Sequence, residues 1–462
     1  MKKIKMPHTY VLIFIMIIIV AALTYIVPAG QYDRAEDAKT GRVFVVADSY
    51  HQVEQSPVSP FGVFKAVPKG MEEAGQIIFF VLIIGGAFGV LQATGAVDAG
   101  IGSVVKSMTG REKLVIPVIM TIFSLAGAIL GTAEEALPFY PIVIAMALAL
   151  GFDTITGTAM VLLGAGAGFA GAFLNPFTIG IAQGISGLPL FSGIGYRLIC
   201  YVVILAAGII YVYRYASKIH KNPELSPMYE EDRKKHDKFD LNDLPEFNTK
   251  HKMVMSVLVI GLVILGYGIV NLGFYITELA AMFLIIGIAT GIVGGLKINE
   301  IAEEFIHGAE AMVYGAIIIG LARAITVVMT EGSIMDTIIY SMGNVVSGMP
   351  GALSAVGMFI VQSMINIIIP SGSGQAAVSM PIMAPMADVV GITRQTAVLA
   401  FQFGDGITNM ISPTSGYFMA ALAIGGVKWD KWAKWMFPLF LIWSGIAAVL
   451  VAISVLINYG PF

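Results

Sequence analysis

Charge is scarce in this sequence. Of 462 residues, 12% are charged and 57% are hydrophobic, against roughly 25% and 45–50% in soluble domains. So little charge cannot cover a water-soluble fold of this length, and the chain reads as an integral membrane protein. That excludes a soluble enzyme and a secreted domain. Cysteine is nearly missing as well: the single Cys200 rules out an intrachain disulfide framework. Six histidines and that one cysteine show no metal-ligand spacing, so neither a metal centre nor a cofactor is expected. Neither sign of charge prevails. With 27 basic and 30 acidic residues the net charge is −3, which argues against a nucleic-acid partner. What the chain has in abundance is long apolar runs, the mark of transmembrane helices rather than of alternating barrel strands.

The first run, 10–28, follows Lys2, Lys3 and Lys5. It exceeds the roughly 7–15-residue core of a signal peptide and is expected to remain as an uncleaved span. The polar stretch 31–69 carries no recognisable fold signal. Two later apolar segments, 113–150 and 350–390, are nearly twice the roughly 20 residues one crossing needs. Each is broken at its centre, by Gly131-Thr132-Ala133-Glu134-Glu135 and by Ser371-Gly372-Ser373-Gly374-Gln375. Each is either two spans or a re-entrant hairpin. Basic residues gather in cytoplasmic loops, and the linker 214–252 alone holds nine. With the amino terminus inside and both segments as hairpins, nine crossings place that linker and Lys428, Lys431 and Lys434 inside, with the carboxyl terminus outside. One extra crossing at either hairpin alone would turn one of these clusters outward, so hairpins are expected. Trp429, Trp432 and Trp435 fit an interfacial aromatic belt.

The two halves resemble each other at an offset near 238 residues. Gly70-Met71-Glu72 matches Gly308-Ala309-Glu310, Thr94-Gly95 matches Glu331-Gly332, and Phe139-Tyr140-Pro141-Ile142 matches Ser379-Met380-Pro381-Ile382. After each hairpin a long span is interrupted at a proline, in Asn175-Pro176-Phe177-Thr178 and Ser412-Pro413-Thr414-Ser415. The charge-derived topology runs corresponding spans in opposite directions, so the repeats are expected to be inverted. Inverted repeats with paired interrupted helices point to a secondary transporter whose substrate binds near the membrane midplane.

Met6-Pro7-His8-Thr9-Tyr10, Pro28-Ala29-Gly30-Gln31-Tyr32-Asp33, Ile369-Pro370 with the following Ser371–Gln375 tip, and Gln402-Phe403-Gly404-Asp405-Gly406 with Asn409 and Ser412–Ser415 carry a resemblance. Over essentially its whole length the chain resembles the YfcC-type branch of the anaerobic four-carbon-dicarboxylate carrier family, in the ion-transporter superfamily. The resemblance implies an all-α polytopic fold in a bacterial cytoplasmic (inner) membrane, a homodimer, and a mobile transport region moving like an elevator against a scaffold. It leaves open whether the substrate is a dicarboxylate or a basic amino acid. The expected divisions are a first helix and extracytoplasmic segment at 1–69, repeat one at 70–213, the linker at 214–252, two scaffold helices at 253–307 and repeat two at 308–462.

Glu134 and Glu135 fall at the first tip, where a carboxylate at membrane depth calls for a partner or a function. They form either an anionic subsite for a cationic amino acid or, with Thr132 as N-cap and Glu135 closing a capping box, a helix start. Ser371, Gly372, Ser373, Gly374 and Gln375 form the second tip, whose backbone amides suit a substrate carboxylate. No Gly-Lys-Ser/Thr follows it, so it is not a phosphate loop. Asp405 and Asn409, four apart on one helix face, form either a proton or cation site, a second acidic contact, or a structural bond between repeats. Asn175, Ser412, Thr414 and Ser415 offer neutral oxygens at the two breaks, for substrate, for Na+ near Asn175 and Ser412, or as helix caps. Arg323, deep in its span, either binds a substrate carboxylate or, as favoured here, pairs with an acid such as Asp405 or Glu331. The mixed-charge linker reads as a solvated connector.

An intramembrane aspartyl protease would need glycine where the chain has Gln402, and no Ser/His pair falls within the spans. A channel suits two hairpins and two broken helices less well than alternating access. The expected function is secondary transport of an amino acid, basic in the arginine or ornithine sense, by exchange or coupled to Na+ or H+. The alternative is Na+- or H+-coupled dicarboxylate transport with Arg323 and the tip amides on the two carboxylates.

Overall fold

The computed structural model describes residues 9–36, 43–46, 49–97, 99–100, 103, 111–129, 131, 133–236, 247–272, 274, 276–347 and 351–460. Helix dominates. The first helix, α1 (Thr9–Leu23), packs along a much longer one described below. The described residues of the stretch after it form strands despite its lack of sequence signal. Strand β1 (Gly30–Gln31) pairs antiparallel with β4 (His51–Gln52), and β2 (Arg34–Glu36) with β3 (Val43–Val45), one ribbon nested in the other.

Helix α2 (Pro60–Glu73) starts inside the stretch expected to precede repeat one. Ser59 caps it by accepting from Gly62 N, and Pro60 occupies the first turn, where no N–H is needed. It runs into α3 (Gly75–Ala93) through a bend of 57°. Four helices follow: α4 (Val115–Ile129), α5 (Tyr140–Ala149), α6 (Thr154–Ala170) and the short α7 (Ile181–Ile185). Then come α8 (Ile194–Lys221), the linker helix α9 (Tyr229–His236), α10 (Thr249–Tyr267) and α11 (Ile276–Val293). The second half contains α12 (Ile298–Glu331), α13 (Met335–Ser347), α14 (Gly351–Ile368), α15 (Gly372–Val389), α16 (Arg394–Thr408), α17 (Gly416–Gly425) and α18 (Trp429–Leu456). It is α12 that α1 packs against.

The packing of the two halves has the same pattern. Helices α4 and α5 both pack on α6, as α14 and α15 both pack on α16. The short α7 lies on α15, and α17 lies on α5. Helix α8 packs on α4 and α6, and α18 packs on α14 and α16; both are 28 residues long. Residues 60–93 and α12 at 298–331 lie against each other in antiparallel fashion. Gly70 faces the backbone of Gly320 and Ala324, whereas Gly85 and Gly89 face Gly308, and a Cβ at any of them would come within 3 Å of main-chain atoms. Small residues let apolar helices approach closely where no hydrophobic effect drives them together in lipid.

Five helical stretches among the described residues are long and apolar enough to cross a membrane, or seven if two bent pairs each count as one span. They are not the nine crossings expected: the hairpin arms α4 and α14 are among them, whereas α1, α10 and the broken α6–α7 and α16–α17 are not. Those broken helices form the centre: every residue of α6 but Phe169 and every residue of α16 but Arg394 is buried. Outward faces of α8, α10, α11 and α18 expose Ile199, Val202, Val259, Ile260, Val263, Ile285, Leu441 and Val449. An apolar surface of this extent suits lipid rather than water.

Candidate transport cavity

Four interruptions meet at the centre. In the first half, α6 ends at Ala170, and Asn175 caps the π-turn Pro176–Gly180 by accepting from Phe177 N (2.9 Å) and Thr178 N (3.2 Å). Its amide donates to Gly127 O on α4 at 3.2 Å, tying this break to the first tip. Gly131 at that tip has φ +71°, and a Cβ there would fall 2.6 Å from Asn175 Oδ1. Both facts require glycine. A 3₁₀ turn, Glu134–Phe139, then leads into α5. Its N-cap position falls on Ala133. Thr132 and the side chain of Glu135 lie outside the described residues.

The second tip reverses the chain. Gln375 Nε2 donates to Gln362 O and Oε1 (2.8 Å each), and Asn366 Nδ2 donates to Gln375 Oε1 at 3.0 Å. The bonds of Gln375 to Gln362 join residues 13 apart across the turn at 369–371, so α14 and α15 form an antiparallel hairpin. Ser371 caps α15 through Gly374 N at 3.3 Å. The amides of Gly372 and Ser373 are then left without an intrahelical acceptor.

At the second break, Ser412 Oγ and Thr414 Oγ1 share a hydrogen bond of 2.7 Å. Freed carbonyls at this depth need donors, and two tryptophans supply them: Trp432 Nε1 reaches Met410 O at 2.9 Å and Trp429 Nε1 reaches Ile411 O at 3.0 Å. Trp432 and Trp435 are buried and Trp429 half-buried, which corrects the expectation of an interfacial belt.

These elements enclose a cavity of about 320 Å³. Of the expected residues, Glu134, Ser371, Gly372, Ser373, Asp405, Asn409, Thr414 and Ser415 line it. Asn175, Ser412, Gly374 and Gln375 do not; they hold the breaks and the hairpin from behind. The cavity also contains Glu73 and Arg323, paired Nε to Oε2 at 2.8 Å and each a little under half exposed. This corrects the acids expected for Arg323, since Glu331 is bound by Lys69, and Asp405 by Asn366 and Asn409. Glu73 lies 250 positions from Arg323, a pairing no local pattern in the chain encodes. Thr178, at the end of the first break, lines the cavity too, as does Tyr417, which carries no sequence signal and shares a 3.0 Å hydrogen bond with Tyr140. The described residues contain no group of three or more His, Cys, Asp or Glu suited to a metal ion.

Comparison with known proteins follows the same lines. A family model described as C4-dicarboxylate anaerobic carrier matches residues 6–456. The Escherichia coli (strain K12) protein named "Putative basic amino acid antiporter YfcC" is 36% identical, over 93% of this chain and 92% of that one. An uncharacterized protein of Haemophilus influenzae is 32% identical, over 98% of both. Two solved structures cover 98% of this chain at lower similarity. They are the Alcanivorax borkumensis YdaH transporter (TM-score 0.44, 16% identity) and Neisseria gonorrhoeae MtrF, of a class of antimetabolite efflux pumps (TM-score 0.43, 17% identity); at that distance they add nothing to the assignment. The match of the family model over nearly the entire length, with two full-length relatives above 30% identity, is decisive: this chain is a transporter of the C4-dicarboxylate anaerobic carrier family.

Proposed function

We propose that the cavity carries a basic amino acid of the arginine or ornithine kind across the bacterial inner membrane by alternating access, through exchange or ion coupling. The observation that carries this reading is the charge of the lining. Three carboxylates, Glu73, Glu134 and Asp405, face one guanidinium, Arg323, which Glu73 already engages at 2.8 Å. When ionised, this lining is net negative by two charges, so it attracts a cation and repels a dicarboxylate. In this reading Glu134 receives the cationic side chain. The substrate carboxylate lies at the amides of Gly372 and Ser373, where the start of α15 carries partial positive charge.

The same reading assigns the antiparallel halves to inverted repeats. Residues 60–93, α12 and the helices beside them form the scaffold, and the two hairpins with the broken α6–α7 and α16–α17 form the mobile part. Dimerisation and an elevator movement belong to this proposal, supported by family membership. So does the orientation with the amino terminus inside and the carboxyl terminus outside.

The test is uptake into proteoliposomes of labelled arginine and labelled succinate, with arginine, ornithine or nothing inside. Arginine uptake stimulated by internal arginine or ornithine is expected, with Glu134→Gln abolishing it. Uptake of succinate without arginine overturns the proposal. One observation favours the second reading, dicarboxylate transport: Arg323 reaches the cavity. In that case Arg323→Gln would abolish succinate uptake and Glu134→Gln would leave it intact.

A further inference from the structure

Away from the cavity, one buried guanidinium has nothing to balance its charge. Arg197, one turn into α8, is 1% exposed. Its Nη2 donates to Gln395 Oε1 at 3.2 Å, while Nε and Nη1 have no hydrogen-bond partner and are closed to solvent. Among the described residues it forms no ion pair. A buried cation without a counter-charge is strongly unfavourable, and water can take up its hydrogen bonds but not its charge.

The surroundings hold it in place and add charge of the same sign. Gln183 of α7 and Gln395 of α16 are fully buried and spend their donors on other groups. Gln183 Nε2 reaches Ser192 O at 2.9 Å and Gln395 Oε1 at 3.3 Å, and Gln395 Nε2 reaches Ser192 Oγ at 2.5 Å. Gln183 Oε1 accepts from Phe191 N at 2.5 Å, and Tyr459 Oη donates to Gly193 O at 2.7 Å. These bonds fold the loop 189–193 over the start of α8, with Phe191 held at φ +58°, a costly conformation for a bulky residue. Helix α8 has no side-chain cap, so the amides of its first turn lack an acceptor and carry partial positive charge. Asp388, at the end of α15, is already engaged by Arg394 at 2.7 Å. What this end of the molecule lacks is an anion.

We propose that Arg197 and the first turn of α8 hold a chloride ion. Ile194 and Gly195 are exposed, which gives a small ion a way in. A dianion would leave its second charge unbalanced in a buried site. A lipid phosphate, held at the surface by its chains, does not reach a guanidinium closed to solvent. The transported substrate is not the occupant either, since Arg197, Gln183 and Gln395 lie outside the cavity lining. Gln183 and Arg197 belong to the first half, Gln395 and Tyr459 to the second, so the ion braces the contact between them. The site is independent of which substrate the cavity carries.

The experiment is equilibrium binding of radioactive chloride to the purified full-length protein in gluconate buffer. Thermal unfolding is followed beside it in chloride, gluconate and phosphate at equal ionic strength. One saturable site is expected, with a midpoint that rises with chloride but not with the other two anions. Arg197→Met is expected to lose both effects. Gln395→Glu places a carboxylate oxygen where Gln395 Oε1 now lies, 3.2 Å from Arg197 Nη2. It is expected to bind chloride at least about tenfold more weakly, because the protein then supplies the counter-charge itself. Its midpoint in gluconate should match or exceed that of the wild type. This variant keeps the test open if Arg197→Met fails to fold by size-exclusion chromatography. No saturable binding in the wild type, unchanged binding in Gln395→Glu, or equal stabilisation by phosphate overturns the proposal.

Discussion

Gly131 shows how much one position can carry. Its left-handed φ costs a residue with a Cβ roughly 1–2 kcal/mol, and Asn175, whose amide caps one break and holds another element, stands 2.6 Å from where that Cβ would go. Gly131→Ala is thus expected to lower the apparent unfolding temperature and to reduce transport more than the stability loss alone accounts for. Gly195→Ala, in α8 with nothing within 4 Å of its Cβ, should leave both unchanged; equal effects from the two would remove the special role of the tip. The reason for glycine at 131 could not be read from the chain, since the atom that excludes a side chain lies 44 residues away on another element. Glu134, by contrast, was legible because a carboxylate in an apolar segment is anomalous wherever it stands. Arg323 was legible as an anomaly too, but its partner was not: Glu73 looks like one of several acids at a helix end until the fold sets it 2.8 Å from the guanidinium.

Among the elements, the linker departs most from its sequence reading. Its first part is docked rather than solvated. Asp232 on α9 accepts from Thr154 N and Oγ1 (2.9 and 2.5 Å) and so caps α6 from outside, while Asp153 caps the same helix through Thr156 N at 2.8 Å. Asp153 also accepts from Tyr215 and Ser226 at 2.5 and 2.6 Å, and Glu231 pairs with Lys431 of α18 at 2.7 Å. Residues 237–246 of the linker lie outside those described. An N-cap is worth about 0.5–2 kcal/mol, and Asp232 is buried, so Asp232→Ala is expected near the upper end. Thermal unfolding of the purified protein checks this, and an unchanged midpoint would return the linker to a passive connector. The nested ribbons after α1 behave alike. Arg34 pairs with Asp336 at 3.0 Å and Tyr50 stacks on Tyr340 at 4.1 Å, fixing a polar segment to the start of α13. Neither contact announces itself in a short, mixed-polarity stretch.

For the whole molecule, the arrangement places the linker and the ribbons on opposite membrane faces if the halves are inverted in the way the basic residues suggest. The single Cys200 is buried, so Cys200→Ser provides a cysteine-free background. With a membrane-impermeant maleimide, His51→Cys is expected to be labelled in intact cells and Glu230→Cys only after the membrane is permeabilised. Labelling of Glu230→Cys in intact cells, or of His51→Cys only after permeabilisation, would refute the orientation.

Composition and spacing along the chain sufficed for the membrane class, the two tips and the two breaks. These follow from the bilayer acting as a solvent: it forbids exposed backbone and charge, so every exception stands out against the apolar runs around it. Tertiary structure alone decided which exceptions share a cavity, which ones only brace it, and that Glu73 takes up Arg323. Such relations depend on distances between elements hundreds of residues apart, and helix packing through small residues fixes those distances without leaving a local pattern behind.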